Sequence, residues 1–331
     1  MNTSLVTGGA GFIGAHLTRE LLNRGHKVVV LDDLSGGFKE NVDARAELTV
    51  GSITDHALID SLFEKHRFDY VFHLAAYAAE GLSHFIRRFN YTNNLIGSVN
   101  LVNASVRGKV KRFVFTSSIA VYGAGELPLR ESQMPRPEDP YGIAKLAVEQ
   151  DLAAAQHMFG LDYVIFRPHN VYGEYQNLGD RYRNVVGIFM NQVMSAKPLT
   201  VFGDGKQSRA FSYVGDIIPV MASSIEVEKA RNQVFNVGGD EVYTVNQLAE
   251  TVLQVTGSTV DLRHVQARNE VLHAYSDHSR VHEVFGKPKT TSLKDGISKM
   301  WAWAKQRGVT KTGRFTHIEV MEKLPPVWLE D

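Results

Sequence analysis

Short apolar runs alternate with amphipathic stretches through the first half of the chain. Ser4–Thr7, Lys27–Leu31, Leu48–Val50, Tyr70–Leu74, Arg112–Ser117 and Tyr163–Arg167 read as strands. Between them, Gly11–Arg24, Asp55–Lys65, Asn93–Val106 and Pro140–Phe159 repeat their apolar positions at helical spacing. Strand, helix, strand repetition implies right-handed crossovers and a parallel sheet covered on both faces. The pattern predicts an α/β fold with a Rossmann-type doubly wound parallel sheet. The second half is less regular. It has a loop near 174–184, a helix near Val185–Ser195, short segments around Leu199–Phe202 and Phe211–Val214, and helices over Asn246–Thr256 and Leu293–Arg307. No repeat, low-complexity tract or flexible linker interrupts it. A larger domain is expected over 1–168 with a returning segment at about 206–240. A smaller C-terminal α/β substrate domain is expected over about 169–205 and 241–331, with a cleft between the two.

Composition narrows the classes. Of 331 residues, 44% are hydrophobic and 22% charged, the balance of a globular chain. Lys+Arg and Asp+Glu are both 36, so there is no net charge to attract nucleic acid or a membrane in bulk. Cysteine is absent, which removes disulfides, Cys-bound zinc and thiol catalysis. No apolar stretch approaches the roughly 18 residues of a membrane helix. The N-terminus enters a strand directly, and a cytoplasmic location is the expectation. His278 and His282 have the spacing of a metal pair. No Glu follows His278 and no third ligand is evident, so they read as a surface face and no metal is expected. Trp301 and Trp303 read as packing residues.

The first strand runs into Gly8-Gly9-Ala10-Gly11-Phe12-Ile13-Gly14, a Gly-x-x-Gly-x-x-Gly turn between strand and helix. Gly8 permits the tight turn, Gly11 lets backbone approach a pyrophosphate, and Gly14 lets the helix pack near the sheet. The helix N-terminus offers N–H groups and a positive dipole to phosphates. The second strand ends at Asp32-Asp33, with Asp32 18 residues past Gly14. A carboxylate there accepts hydrogen bonds from an adenosine ribose and repels a 2′-phosphate, which favours NAD over NADP.

The chemistry is expected at Tyr141 and Lys145. The i, i+4 spacing puts both on one helix face. An ammonium there favours the phenolate and lowers the tyrosine pKa. In a chain with 12 tyrosines the spacing alone means little. It gains meaning from the glycine turn and from Ser118, which follows an apolar run 23 residues before Tyr141.

With these residues the chain resembles the extended short-chain dehydrogenase/reductases, in their NAD-dependent nucleotide-sugar epimerase and dehydratase branch. The matching segments are Thr7–Gly14, Asp32-Asp33-Leu34-Ser35, His73-Leu74-Ala75-Ala76, Asn93-Asn94, Thr116-Ser117-Ser118, Tyr141 with Lys145, Arg167-Pro168-His169-Asn170, Gly203-Asp204-Gly205 and Arg209–Asp216. The resemblance implies that Ser118 hydrogen-bonds the reacting sugar hydroxyl, Tyr141 removes its proton and Lys145 binds the nicotinamide ribose. It implies NAD contacts from Gly8, Gly11, Phe12, Ile13, Gly14, Asp32, Asp33, Leu34, Ser35, Gly36, Leu74, Ala75, Ala76, Asn94, Thr116 and Pro168. Ser52 stands where the family has an aspartate beside the adenine, leaving Ile53 to pack there. For a UDP-sugar it implies Asn170 at the diphosphate and Asn184 and Val185 at the entry to the substrate domain. Thr200, Val201 and Phe202 would lie along the uracil, and Arg209 and Arg268 would clamp the diphosphate. The helices Asn93–Val106 and Pro140–Phe159 would build a homodimer through a four-helix bundle.

The branch is read from what is missing. Family dehydratases carry an acidic pair where this chain has Ile119 and Ala120. Family uronate decarboxylases have a glutamate in place of Ala120, and the 3,5-epimerases use a cysteine. What remains is a 4-epimerase working through a transient 4-keto sugar on a UDP-hexose or a UDP-hexosamine or uronate. Ala274 aligns with a position that gates bulky C2 substituents, and a small gate would admit an N-acetyl group. Arg181 and Arg183 could reach a uronate carboxylate, though a solvated loop is the simpler reading. Another nucleotide-sugar oxidoreductase or dehydratase of the family, or a non-catalytic NAD-sensing protein, stays open at this stage.

Overall fold

The computed structural model describes residues 1–267, 271–288, 290–311, 313 and 315–328. Six strands arise in the first half: β1 (Thr3–Thr7), β2 (Lys27–Asp32), β3 (Glu47–Val50), β4 (Tyr70–His73), β5 (Arg112–Thr116) and β6 (Tyr163–Pro168). Then come the short β7 (Val171–Tyr172), β8 (Leu199–Phe202), β9 (Ser208–Ala210) and β10 (Ser212–Tyr213). They are followed by β11 (Gln233–Val237), β12 (Val242–Thr244), β13 (Leu262–Val265) and β14 (His273–Ala274).

Seven strands form one parallel sheet in the order β11-β6-β5-β4-β1-β2-β3. The order reverses after β1, which opens a crevice at the carboxyl ends of the strands. Strand alternation feeds two separate cores. Val6, Val28, Val30 and Phe72 pack on one face with Leu17, Leu21, Ile217 and Phe235. Leu5, Val29, Leu31 and Val71 pack on the other with Ile59, Leu101 and Leu152.

Local signals start and stop the helices. Asp139 accepts from the Gly142 N–H at 2.9 Å and Pro140 opens the helix Pro140–Phe159, which Gly160 ends at φ 75. Thr244 and Gln247 form a capping box at the start of Val245–Thr256.

A second body has its own core of Phe189, Leu199, Val201, Leu248, Val252, Ile297 and Met300. Its edges are small sheets, β12-β9-β14 and β13-β8. Two details differ from the expected boundaries. Residues 208–210 pair with β12 and β14 in the smaller body, so the return to the larger one begins after them. Conversely, the helix Ser279–Phe285 lies on the large sheet, with Val281 in its core and Phe285 against Phe166 and Phe235. Among the described residues no helix is long and apolar enough to cross a membrane.

Candidate active site

A cavity of about 580 Å³ runs from the glycine turn to the smaller body and is lined by both. At its sheet end Gly8 has φ 73, and a Cβ there would stand 2.8 Å from the Ala75 nitrogen. A Cβ on Gly14 would stand 2.1 Å from the Gly8 carbonyl oxygen, so helix and turn touch backbone to backbone. Gly11 starts the helix Phe12–Asn23 without a side-chain cap, and Gly11, Phe12 and Ile13 line the cavity. Asp32 is buried. Its carboxylate accepts from the Ala10 N–H at 3.0 Å and the Leu34 N–H at 2.8 Å. Burial pushes its pKa up against those bonds. Asp33, Ser35 and Gly36 line the cavity beside Asp32. Leu34 does not. It holds the corner of the loop at φ 60 with its N–H tied to Asp32.

Ile53, Leu74, Ala75, Ala76 and Pro168 form apolar walls, and the Thr116 hydroxyl is buried there without a hydrogen-bond partner. Two expected contacts fall elsewhere. The Ser52 hydroxyl lies 2.8 Å from that of Thr54 and accepts the Thr54 N–H, and Ser52 is not on the cavity wall. Asn94 is buried behind it. Its amide accepts from the Tyr77 N–H at 2.8 Å and donates to the Tyr77 carbonyl at 3.1 Å. It sits in a π-helical turn, Thr92–Ile96, which brings Asn93 rather than Asn94 to the cavity. A glycine cradle, a bare helix N-terminus, a carboxylate and an orphaned hydroxyl in one cleft suit a dinucleotide.

At the other end stand Ser118, Tyr141 and Lys145, all on the cavity wall. Ser118 caps a short 3₁₀ turn, Ile119–Tyr122, by accepting the Ala120 N–H at 3.1 Å, and its side chain lies near enough to the Tyr141 phenol to act on its pKa. Burial pushes the phenol above its ordinary 10.0, while Ser118 and the charge of Arg183 draw it back. The Lys145 ammonium donates to the Thr116 carbonyl at 2.8 Å and lies 5.7 Å from the Tyr141 ring centroid. Burial pushes Lys145 down to about 7, opposed by Glu149. The expected lowering of the Tyr141 pKa is therefore not seen: desolvation dominates, and Lys145 is not among the groups that act on the phenol. Ile119 and Ala120 line the cavity, and neither carries a titratable group.

On the substrate side, Asn170 (φ 40) donates to the Ala210 carbonyl at 3.1 Å, and Asn184 caps the helix Val185–Met194. Both line the cavity with Val185. Strand alternation in β8 turns Thr200 and Phe202 to the cavity and buries Val201 in the core, against the expectation for Val201. Arg209 lines the cavity and donates to the Ser208, Val271 and Leu272 carbonyls. Arg268 lies outside the described residues.

His278 is not on a surface face. It is buried, its ring stacks on His169 at 5.1 Å, and the two Nε2 atoms are 3.0 Å apart. The other nitrogens face acceptors, His169 Nδ1 the Ala210 carbonyl at 3.0 Å and His278 Nδ1 the Asp240 carboxylate at 2.7 Å. Burial pushes His169 down to about 3.

The sequence reading also missed much of the wall around the chemistry, Tyr77, Glu80, His84 and Tyr182, and took Arg183 for a solvated loop residue although it lines the cavity. Arg183 is not solvated. It pairs with Asp180 and lies 4.9 Å from the Tyr77 ring centroid. No spacing signal could have found these residues, because a long loop and a short helix bring them together.

Comparison with known proteins agrees with this geometry. Residues 4–238 match the NAD dependent epimerase/dehydratase family. A putative UDP-glucose 4-epimerase of Methanocaldococcus jannaschii is 31% identical, over 92% of this chain and 99% of its own length. The crystal structure of UDP-glucose 4-epimerase from Thermotoga maritima with UDP-glucose superposes with a TM-score of 0.88 at 34% identity, over 92% of this chain and 99% of that one. UDP-glucuronic acid 4-epimerase from Bacillus cereus, solved with UDP-glucuronic acid and NAD, gives 0.85 at 28%, over 92% and 99%. The chain belongs to the NAD-dependent epimerase/dehydratase family.

Proposed function

We propose that this protein is an NAD-dependent 4-epimerase of a nucleotide sugar, with a UDP-hexose or a UDP-hexosamine or uronate as substrate. The observation that carries this reading is Ser118, Tyr141 and Lys145 together on one cavity wall, with no titratable side chain at Ile119 or Ala120. Ser118 holds the hydroxyl on the reacting carbon, and Tyr141 takes that proton at its phenol oxygen and later returns it. Lys145 fixes the helix to β5 through Thr116 and presents its ammonium to the cofactor's ribose. When bound, NAD supplies the hydride acceptor that the side chains lack. Gly8, Gly11, Gly14 and Asp32 would hold it, and Ile53 would pack on its adenine. Asn170, Asn184, Val185, Thr200, Phe202 and Arg209 would hold the nucleotide diphosphate. Ala274 is buried at the cavity wall and leaves room for a C2 acetamido group.

A homodimer fits the surface. Ile96, Ile143, Met158 and Phe159 are exposed on the helical segments that such a bundle would use. Light scattering should give twice the chain mass.

Incubation with UDP-, GDP-, CDP- and dTDP-sugars, without added cofactor and with products resolved at C4 by NMR, tests the function. C4 epimers from UDP-sugars alone are expected. No product from any UDP-sugar would overturn the substrate assignment.

A further inference from the structure

Relatives aligned over 99% of their own length cover 92% of this chain, and the family match already begins at residue 4. We propose that residues 313 and 315–328 belong to the surplus, as a C-terminal strap that sets the wall around the sugar and so selects among nucleotide sugars. The proposal rests on the epimerase reading of the site.

The strap seats on two segments that line the cavity, the stretch from Tyr77 to Phe89 and the loop from Asp180 to Arg183. Gly313 bridges to Asp180 and donates its N–H to the Gly179 carbonyl at 3.2 Å. The Phe315 N–H donates to the Tyr182 hydroxyl at 3.1 Å, and the Phe315 ring packs at 5.3 Å on Tyr77 and 4.9 Å on Phe89. Glu319 accepts from the N–H groups of Arg88 at 2.8 Å and Phe89 at 2.9 Å. Those groups start the short helix Arg87–Tyr91, which no side chain at its own N-cap satisfies. Trp328 is buried against Phe85 and Tyr182 and stands close over Gly81.

The wall so held is close to the chemistry. The charges of Glu80 and Arg183 both act on the Tyr141 phenol. Tyr77 carries the Arg183 guanidinium over its ring, and the strap is what backs Tyr77 and Tyr182 from outside. Phe315, Glu319 and Trp328 do not line the cavity. They are positioning residues, acting through Tyr77, Tyr182 and Arg183. At the nucleotide end, Leu199 and Val201 of β8 pack in a different core from Trp328.

Calorimetric titration of the intact, NAD-loaded protein with UDP and with a set of UDP-sugars tests this, using wild type, Trp328→Ala, Trp328→Phe and Glu319→Gln. UDP affinity is expected to stay within about twofold, while affinity for the preferred UDP-sugar falls about tenfold in Trp328→Ala and the preference among sugars flattens. Trp328→Phe should recover most of the preference. Glu319→Gln, which keeps the shape but loses the charge, gives an intermediate loss and guards against a Trp328→Ala chain that fails to fold. Equal losses for UDP and UDP-sugars, or an unchanged preference, would overturn the strap's role. If the wild type forms no C4 epimer from any UDP-sugar, the epimerase reading itself fails, and wild-type turnover alone shows it.

Discussion

Tyr141 and Lys145 share the buried face of one helix, yet the lysine ammonium points to the Thr116 carbonyl while the phenol faces Ser118 on the cavity wall. The proton-transfer group and the cation thus face different partners on different strands and turns. This separates their expected mutant effects.

Tyr141→Phe removes the phenol oxygen and leaves the ring's packing. Turnover should fall by about a hundredfold to ten-thousandfold with KM little changed, the range expected for loss of a general acid/base. Steady-state kinetics checks it.

Lys145 carries a stability signature of its own. Its pKa in the fold, about 7, lies below the ordinary 10.5. Between those values the unfolded chain binds the extra proton, so wild-type stability should rise as pH increases from about 7 toward 10.5. Lys145→Met deletes the buried charge. Nucleotide-free Lys145→Met should melt at or above the wild-type temperature at pH 7, with the gap closing near pH 10, while turnover is lost. Melting curves across pH measure both.

Gly14→Ala puts a methyl group 2.1 Å from the Gly8 oxygen, where only backbone can yield. A loss of about 1–3 kcal/mol is expected from overpacking, together with loss of co-purifying NAD. Denaturant titration and the absorbance of released nucleotide would show them.

Asp240 hydrogen-bonds the buried His278 ring at Nδ1, 2.7 Å away, and that hydrogen bond keeps its carboxyl below the ordinary 3.8. A depressed acid stabilises the fold above its unfolded pKa and ceases to do so as pH falls through its folded pKa. Asp240→Asn should therefore lower Tm at neutral pH, with the difference from wild type shrinking below about pH 4. An equal Tm difference at pH 7 and pH 3 would contradict the assignment.

The sheet was legible because its strands and crossover helices each repeat one period, and Pro140–Phe159 carried both of its end signals, Asp139-Pro140 and Gly160. The helix Val214–Ser223 was not. It is apolar almost throughout, is buried against the sheet and contains Pro219, so neither period nor breaker marks it. Period-2 reasoning placed β8 but not which side faced the cavity, and Val201 fell to the core. Asn94 misled because the π-helical turn shifts the register by one residue at that point. His278 misled because a buried imidazole needs partners that are distant in sequence, Asp240 and His169. The sugar-end wall depends on the strap and so could not be read from any local pattern.

The central claim is that one hydride leaves and returns to the same carbon while one proton shuttles through Tyr141. It is tested most directly with a UDP-sugar deuterated at C4 and no added NAD(P)H. The account predicts a C4 epimer that keeps its deuterium at C4 and consumes no cofactor. Loss of the label to solvent, or turnover that starts only when NAD(P)H is added and then consumes it, would contradict it.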